Sequence, residues 1–393
     1  MPPLTLISQH FHPSHASTAQ LLTDLSLHLA QSGYPIQVFT STPASTPLPQ
    51  VTITRASTRL QQGHSIASKA LASLSFLLSS LGYVLRLPKT TPLLIASNPP
   101  YAGLLGLAFK YFKGGQYTFL FQDIFPESAA LSGVLNANGL PYRFFQALMA
   151  LICRQAEHTI VLTPAMQTYL EKTHPPLQGK LQVIENWAVE PIDPQPKATN
   201  PFAQQHGLDQ IFTVLYSGNI GRLHDIETIA EAIYRLRDQP IQFVFIGDGP
   251  KRSILTDYLE NYHLTNLLLL PFQPRHQLAH TLTACDLSLV SLMPGAEQIV
   301  APCKLYGMLA AGRAILSLST PGSYLDQLLS QHHCGLNLPP GDPAHLAQTL
   351  QTLATQPDQI ATLGHNAHQL YRQRYHTGRA AQQYQALLLG HQP

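Results

Sequence analysis

The chain has 393 residues, and at about 150 residues per domain it holds two or three domains with sizeable cores, which excludes a single small module. Charged residues make up only 11% against roughly 25% in an average soluble domain, while 45% are hydrophobic, so disorder is excluded as well. The formal charge of +2 is far from the basic excess that a phosphate backbone demands, which argues against nucleic acid as a partner.

The first residues, Met1-Pro2-Pro3-Leu4-Thr5-Leu6-Ile7, lack the basic segment, apolar core and small-residue cleavage site of a secretory signal, and the expected location is cytoplasmic. Short apolar runs then alternate with helix-length segments, the pattern of parallel sheets wrapped by helices. The predicted strands are Leu4 to Ser8, Ile36 to Thr40, Val51 to Thr54, Leu93 to Ala96, Thr118 to Phe121, Thr159 to Leu162 and Leu181 to Ile184. After Trp187, the prolines 191, 194, 196 and 201 with polar residues between them read as a linker over 191–208. That divides a first domain, 1–190, from a second, 209–375.

A second series repeats the layout: Phe212 to Tyr216, Gln242 to Ile246, Leu267 to Leu270, Leu287 to Val290, Ala314 to Ser317 and Gly335 to Leu338. Helical text closes the chain from Pro343 to Leu389, and its last piece, 376–393, is expected to pack back on the first domain. The fold class is α/β, with two doubly wound Rossmann-like domains facing each other across a cleft where ligands of such sheets bind.

The segment from Ala67 to Leu87 carries no charge between Lys69 and Arg86 and is rich in leucine. Between those two charges four serines and a glycine dilute it below what a membrane span wants. Three readings stay open: a helix covering the first sheet; one dipping into a membrane interface, where Lys69, Arg86 and Lys89 would meet anionic headgroups, or facing a lipid-linked acceptor; and, least of the three, a true span. The cysteines 153, 285, 303 and 334 form no CxxC pair and the histidines are scattered, so no metal site is expected.

Three stretches carry chemistry. Leu215-Tyr216-Ser217-Gly218-Asn219-Ile220-Gly221-Arg222 ends a strand in two glycines just before a helix starting near Asp225, where bare backbone and helix-start amides suit a phosphate. Phe245-Ile246-Gly247-Asp248-Gly249-Pro250 offers a second backbone approach, or only a tight turn. The spacing is not the GxGxxG of dinucleotide binders, and Gln9 to Thr18, after the first strand, holds no glycine. Third, a Gly/Pro-rich loop from Met293 carries Glu297 and leads into Lys304-Leu305-Tyr306-Gly307. Glu297 would accept from sugar hydroxyls or offset charge on a sugar ring, and Lys304 would neutralise a diphosphate leaving group; both could instead lie on a solvated loop.

In combination and order, these strings resemble the donor domain of family 4 retaining glycosyltransferases of the GT-B fold. Phe121-Gln122-Asp123-Ile124-Phe125-Pro126-Glu127-Ser128 and Ser97-Asn98-Pro99-Pro100 are similar to the bacterial branch that builds exopolysaccharides and lipid-linked surface glycans. The resemblance implies a nucleotide-diphosphate sugar, UDP-linked, as donor substrate, no cofactor and no required metal, and a glycan or lipid-linked acceptor.

It places Gly218, Asn219, Arg222, Gly247, Gly249, Glu297, Lys304, Leu305 and Tyr306 on the donor side. The family's catalytic-region histidine corresponds to Gln122, which cannot exchange a proton near neutral pH, so Asp123 beside it becomes the catalytic candidate together with Glu297. A helix cap before Pro126 is the alternative for Asp123. Ser14 and His15, in the loop that replaces the family's glycine pair, fall on the acceptor side with Gln122. The family's diphosphate clamp, an Arg and a Lys, corresponds to Asn219 and His224, leaving Arg222 and Lys304 as substitutes. Gly307 stands where many members carry a ribose-binding glutamate. A nucleotide-sugar epimerase of the same fold, or an idle scaffold in a glycan-assembly complex, are the other readings.

Overall fold

A computed structural model describes residues 2–14, 16–43, 47–56, 66–189 and 192–390. The chain divides into two compact units: Met1–Val189 with Ile299–Ala301 and Thr377–Pro393, and Glu190–Gln298 with Pro302–His376.

The first unit runs β1 (Leu4–Ile7), α1 (Ser17–Gln31), β2 (Ile36–Thr40), β3 (Val51–Arg55), α2 (Ile66–Val84), β4 (Leu93–Ala96) and α3 (Leu104–Lys113). It continues with β5 (Thr118–Phe121), α4 (Glu127–Leu131), α5 (Leu140–Gln155), β6 (His158–Val161), α6 (Pro164–Thr173) and β7 (Leu181–Val183). All strands are parallel, in the order β3-β2-β1-β4-β5-β6-β7. β1, β4 and β5 are buried at every residue, because helices cover both faces of the sheet and leave no side for polar alternation.

Helix α2 covers the first sheet. Ala72, Phe76, Ser80 and Val84, spaced by four, point inward, and the Phe76 and Tyr83 rings pack on Phe39 of β2. Among the described residues no helix is long and apolar enough to cross a membrane.

The second unit holds α7 (Pro201–Gln205), β8 (Phe212–Ser217), α8 (Ile226–Arg235), β9 (Ile241–Ile246), α9 (Arg252–Tyr262), β10 (Leu267–Leu270), α10 (Leu278–Leu282) and β11 (Leu287–Ser291). Then come α11 (Lys304–Ala310), β12 (Ala314–Leu318), α12 (Tyr324–Gln331), β13 (Gly335–Leu338), α13 (Pro343–Ala354) and α14 (Pro357–Arg374). This sheet is also parallel, in the order β10-β9-β8-β11-β12-β13.

The last helix, α15 (Thr377–Leu389), belongs to the first unit. Thr377 and Trp187 both donate to the Asp24 carboxylate, at 2.8 and 2.6 Å, and Tyr384 packs edge-on against Trp187. The stretch read as linker is not a free tether. Asn200 caps α7, Lys197 pairs with Asp286, and Ile192, Phe202 and Leu208 are buried. Prolines fix φ there without preventing packing, and the polar residues between them supply the cap and the ion pair.

Candidate functional site

Strand order reverses between β8 and β11, so the loops leaving their carboxyl ends diverge there, at the usual ligand position in such sheets. Gly218 to His224 follow β8, and the loop carrying Glu297 follows β11. Gly218 has φ +121, and a Cβ there would meet nothing nearer than the Lys304 Cε at 3.6 Å.

Gly247 and Gly249 have a different reason to be glycine. Their missing Cβ atoms would fall 2.2 Å from the Gly218 carbonyl oxygen and 2.4 Å from that of Ile220. The two loops are laced by Gly218 N–H to Ile246 O at 2.8 Å, Ile220 N–H to Asp248 O at 2.9 Å and Lys251 N–H to Ile220 O at 3.2 Å. The second glycine loop thus buttresses the first, and Arg252 secures it by donating to Gly247 O at 2.6 Å.

Lys304, the first residue of α11, reaches back to this turn. Its Nζ donates to the Asn219 carbonyl at 3.1 Å and lies 3.7 Å from the centroid of the Tyr216 ring. The side chain is half-buried and enclosed by protein, and this desolvation lowers the ammonium to about 7. An anion arriving beside it restores the charged form. The reading of a freely solvated lysine is therefore corrected.

His224, where the family's clamp has a cation, is neutral. The Gly221 N–H donates to its Nδ1 at 3.0 Å, which makes Nδ1 an acceptor, and the Tyr216 hydroxyl donates to the same atom at 2.6 Å. Burial, with Lys304 and Lys251 nearby, pushes the imidazole down to about 3. His224 shapes the turn and brings no charge to it.

The start of α8 brings none either. Asp225 occupies the N-cap, its carboxylate accepting from Thr228 N–H at 3.1 Å, Thr228 Oγ1 at 2.6 Å and Gly341 N–H at 3.0 Å. The expectation that helix-start amides supply positive charge here is corrected, since the helix carries its own anion. Lys251 also reaches the turn, donating to His224 O at 2.7 Å, but it is paired with Glu227; Lys304 and Arg222 are the other cations there, and Arg222 is exposed without a hydrogen-bond or ion-pair partner among the described residues.

Glu297 is buried, 5% exposed, and not on a solvated loop. One carboxylate oxygen accepts from Thr320 N–H at 3.0 Å and the other has no partner. A buried carboxylate oxygen without a donor costs on the order of 1–3 kcal/mol, a cost that a ligand hydroxyl would offset. The side chains of Leu305 and Tyr306 are fully buried, Tyr306 against Tyr375, so a donor would meet them through their backbone. Among the described residues no three His, Cys, Asp or Glu side chains cluster as metal ligands.

In the first unit, Asp123 forms an antiparallel bridge with Val300, and Ile124 N–H donates to Ile299 O at 2.8 Å. It is not a helix cap, because Pro126 holds the N-cap position of α4. Asp123 is exposed by area yet deep within surrounding protein, and desolvation raises its carboxyl to about 6. Gln122 donates its backbone N–H to Ser97 Oγ at 2.9 Å, which ties the two motifs singled out in this half. Ser14 Oγ accepts from Ala16 N–H at 3.3 Å just before α1. His15 lies outside the described residues.

Tyr216, Thr320 and Arg252 were assigned no role from sequence. Tyr216 had a signal, an aromatic two residues before a strand-ending glycine. Thr320 and Arg252 act through backbone groups far from them in sequence and had none.

Residues 211–356 match the family described as Glycosyl transferases group 1. This segment is similar in sequence to glycosyl transferases group 1 domains. It contains every donor-side residue named above, from Gly218 to Tyr306. The chain is 29% identical over 262 residues, 66% of its length, to the probable glycosyltransferase WbjE of Pseudomonas aeruginosa, and the match spans 65% of that protein. The sucrose-phosphate synthase of Thermosynechococcus elongatus superposes with a TM-score of 0.79 at 18% identity, covering 99% of both chains. Anabaena HepE, solved in complex with UDP-glucose, superposes with a TM-score of 0.75 at 14% identity over 100% of both. The matched segment and the first unit together have the GT-B fold.

Proposed function

We propose that the chain is a retaining glycosyltransferase that moves a sugar from a UDP-sugar to a glycan or lipid-linked acceptor in surface polysaccharide synthesis. The observation that carries this reading is the Lys304 ammonium held over Tyr216 at the Gly218–Asn219 turn. A diphosphate seated there would be met by that ammonium, by the unpaired Arg222 and by the bare backbone of Gly218. The open oxygen of Glu297 would accept from a sugar hydroxyl and counter positive charge as the glycosidic bond lengthens.

In a retaining transfer of this kind, the bond from the anomeric carbon to the diphosphate oxygen breaks. The acceptor hydroxyl attacks from the same face and its proton passes to the departing phosphate. Lys304 and Arg222 would stabilise the charge gathering on the diphosphate without a metal ion. Asp123, raised to about 6, would orient the acceptor hydroxyl. The UDP moiety is supported by the HepE complex and the acceptor class by the Phe121–Ser128 and Ser97–Pro100 strings.

The test is a thermal-shift panel of nucleotide sugars followed by donor consumption with and without acceptor extracts. A ligand at one hundred times its dissociation constant stabilises by about 2.7 kcal/mol. Consumption that requires acceptor is the expected result. Consumption without acceptor would identify an epimerase, and no binding by any nucleotide would leave a scaffold.

A further inference from the structure

Glu297 has one oxygen held by the Thr320 N–H and one open. The holding amide sits in the turn that leaves β12, from Ser319 to Ser323, and every N–H of that turn is committed. Ser319 N–H donates to Leu338 O at 3.1 Å, Gly322 N–H to the Asp326 carboxylate at 2.7 Å and Ser323 N–H to Thr320 O at 3.0 Å, while Pro321 has none. Those bonds fasten the turn to its own strand pair and to α12. The Thr320 N–H instead reaches across to Glu297 Oε1 at 3.0 Å, on the loop that follows β11.

A polar cluster stands behind this turn. Ser317 on β12 and Ser319 just beyond it lie two apart and so share one face, both fully buried, and Asn337 is the partner of Ser317 in the β13 register. Leu316 and Leu318, on the opposite face, join the core. Asn337 Oδ1 accepts from both serine hydroxyls, Ser319 Oγ at 2.7 Å, and its Nδ2 donates to Ser319 O at 3.1 Å. With its proton given to Asn337, Ser319 Oγ accepts from Ser323 Oγ at 2.8 Å, and Ser323 is itself the N-cap of α12. Buried hydroxyls and amides are tolerated only when paired throughout, and these are. A doubly covered strand that had only to pack would be apolar here, as β4 is.

We propose that Asn337 is a positioning residue for Glu297: by fixing Ser319 and Ser323, the two ends of the turn, it sets the Thr320 amide, and that amide aims the open carboxylate oxygen at the donor sugar. Asn337 touches no ligand and acts through one backbone group. The effect on the sugar rests on the donor reading proposed above, whereas the relay from Asn337 to Thr320 needs no ligand at all.

The experiment compares the native protein with a triple variant carrying Asn337→Leu, Ser317→Ala and Ser319→Ala. Buried donors and acceptors are removed together, so none is left unpaired and thermal melts should hold. Hydrogen exchange of the Thr320 amide, measured without ligand, should speed up by about tenfold or more in the triple variant, as it should in Glu297→Ala, which takes away the acceptor. Calorimetry with UDP, UDP-glucose, UDP-galactose and UDP-N-acetylglucosamine reads the consequence. Affinity for the nucleotide sugar that the native protein binds best should fall by about tenfold in the triple variant, with UDP itself held within about threefold. Unchanged Thr320 exchange would overturn the relay. Equal losses for UDP and for the nucleotide sugar would overturn it too, since the cluster would then support the fold of the site as a whole. Binding of none of the four by the native protein would contradict the donor reading and the role toward the sugar with it, while the exchange result would still decide the relay.

Discussion

The Lys304 ammonium lies 3.7 Å from the centroid of the Tyr216 ring. The ring is fully buried and stacked on Phe245, so the cation rests on a fixed platform at the mouth of the Gly218 turn. A half-desolvated cation over an aromatic face gains on the order of 0.5–2 kcal/mol. Tyr216→Phe keeps the platform and should leave UDP affinity within about threefold, whereas Tyr216→Leu should weaken it by about 3- to 30-fold. Calorimetry on both variants checks this, and equal affinities for the two would refute the platform's role.

The pH dependence follows from two groups with opposite requirements. Lys304 grips a diphosphate when protonated and loses its proton as pH rises through about 7, while Asp123 is ionised only above about 6. The profile of kcat/KM for the free protein should be a narrow bell with limbs near these values. Lys304→Arg keeps its charge at any working pH and should remove the alkaline limb alone. An alkaline limb that survives in Lys304→Arg would assign it to another group.

His224 predicts acid sensitivity of stability. Its folded value near 3 lies below the ordinary 6.5, so the unfolded chain binds the extra proton and stability falls as pH drops from about 6.5 toward 3. His224→Asn offers an acceptor in a similar place without titrating. Thermal melts at pH 7 and pH 5 should show a larger drop for the native protein than for the variant.

The glycines separate support from contact. Gly247→Ala forces a methyl group to 2.2 Å from the Gly218 carbonyl oxygen and should be severely destabilising. Gly218→Ala meets only Lys304 at 3.6 Å and costs backbone strain of about 1–3 kcal/mol, so its main effect should be on UDP binding. Denaturant melts and calorimetry together distinguish the two.

The strands were legible because both sheets are parallel and doubly covered, which turns each strand into a continuous apolar run such as Leu93–Ala96. Boundaries slipped by one residue where a polar residue enters the ladder, as at His158. For the segment from 192 to 208, proline spacing shows where regular structure stops but not where side chains pack. At the site, the glycine turn, Glu297 and Lys304 were visible as residue types in order. Their electrostatics were not: that Asp225 neutralises the α8 start, that His224 is uncharged, and that Leu305 and Tyr306 face the core depend on partners distant in sequence.

The most direct test of the account is UDP titration of Lys304→Ala beside the native protein in a calorimeter. Loss of at least tenfold in affinity, about 1.4 kcal/mol, is the predicted result. Equal affinity in the two proteins would mean that Lys304 is only a packing residue of the Gly218 turn and that no diphosphate sits there.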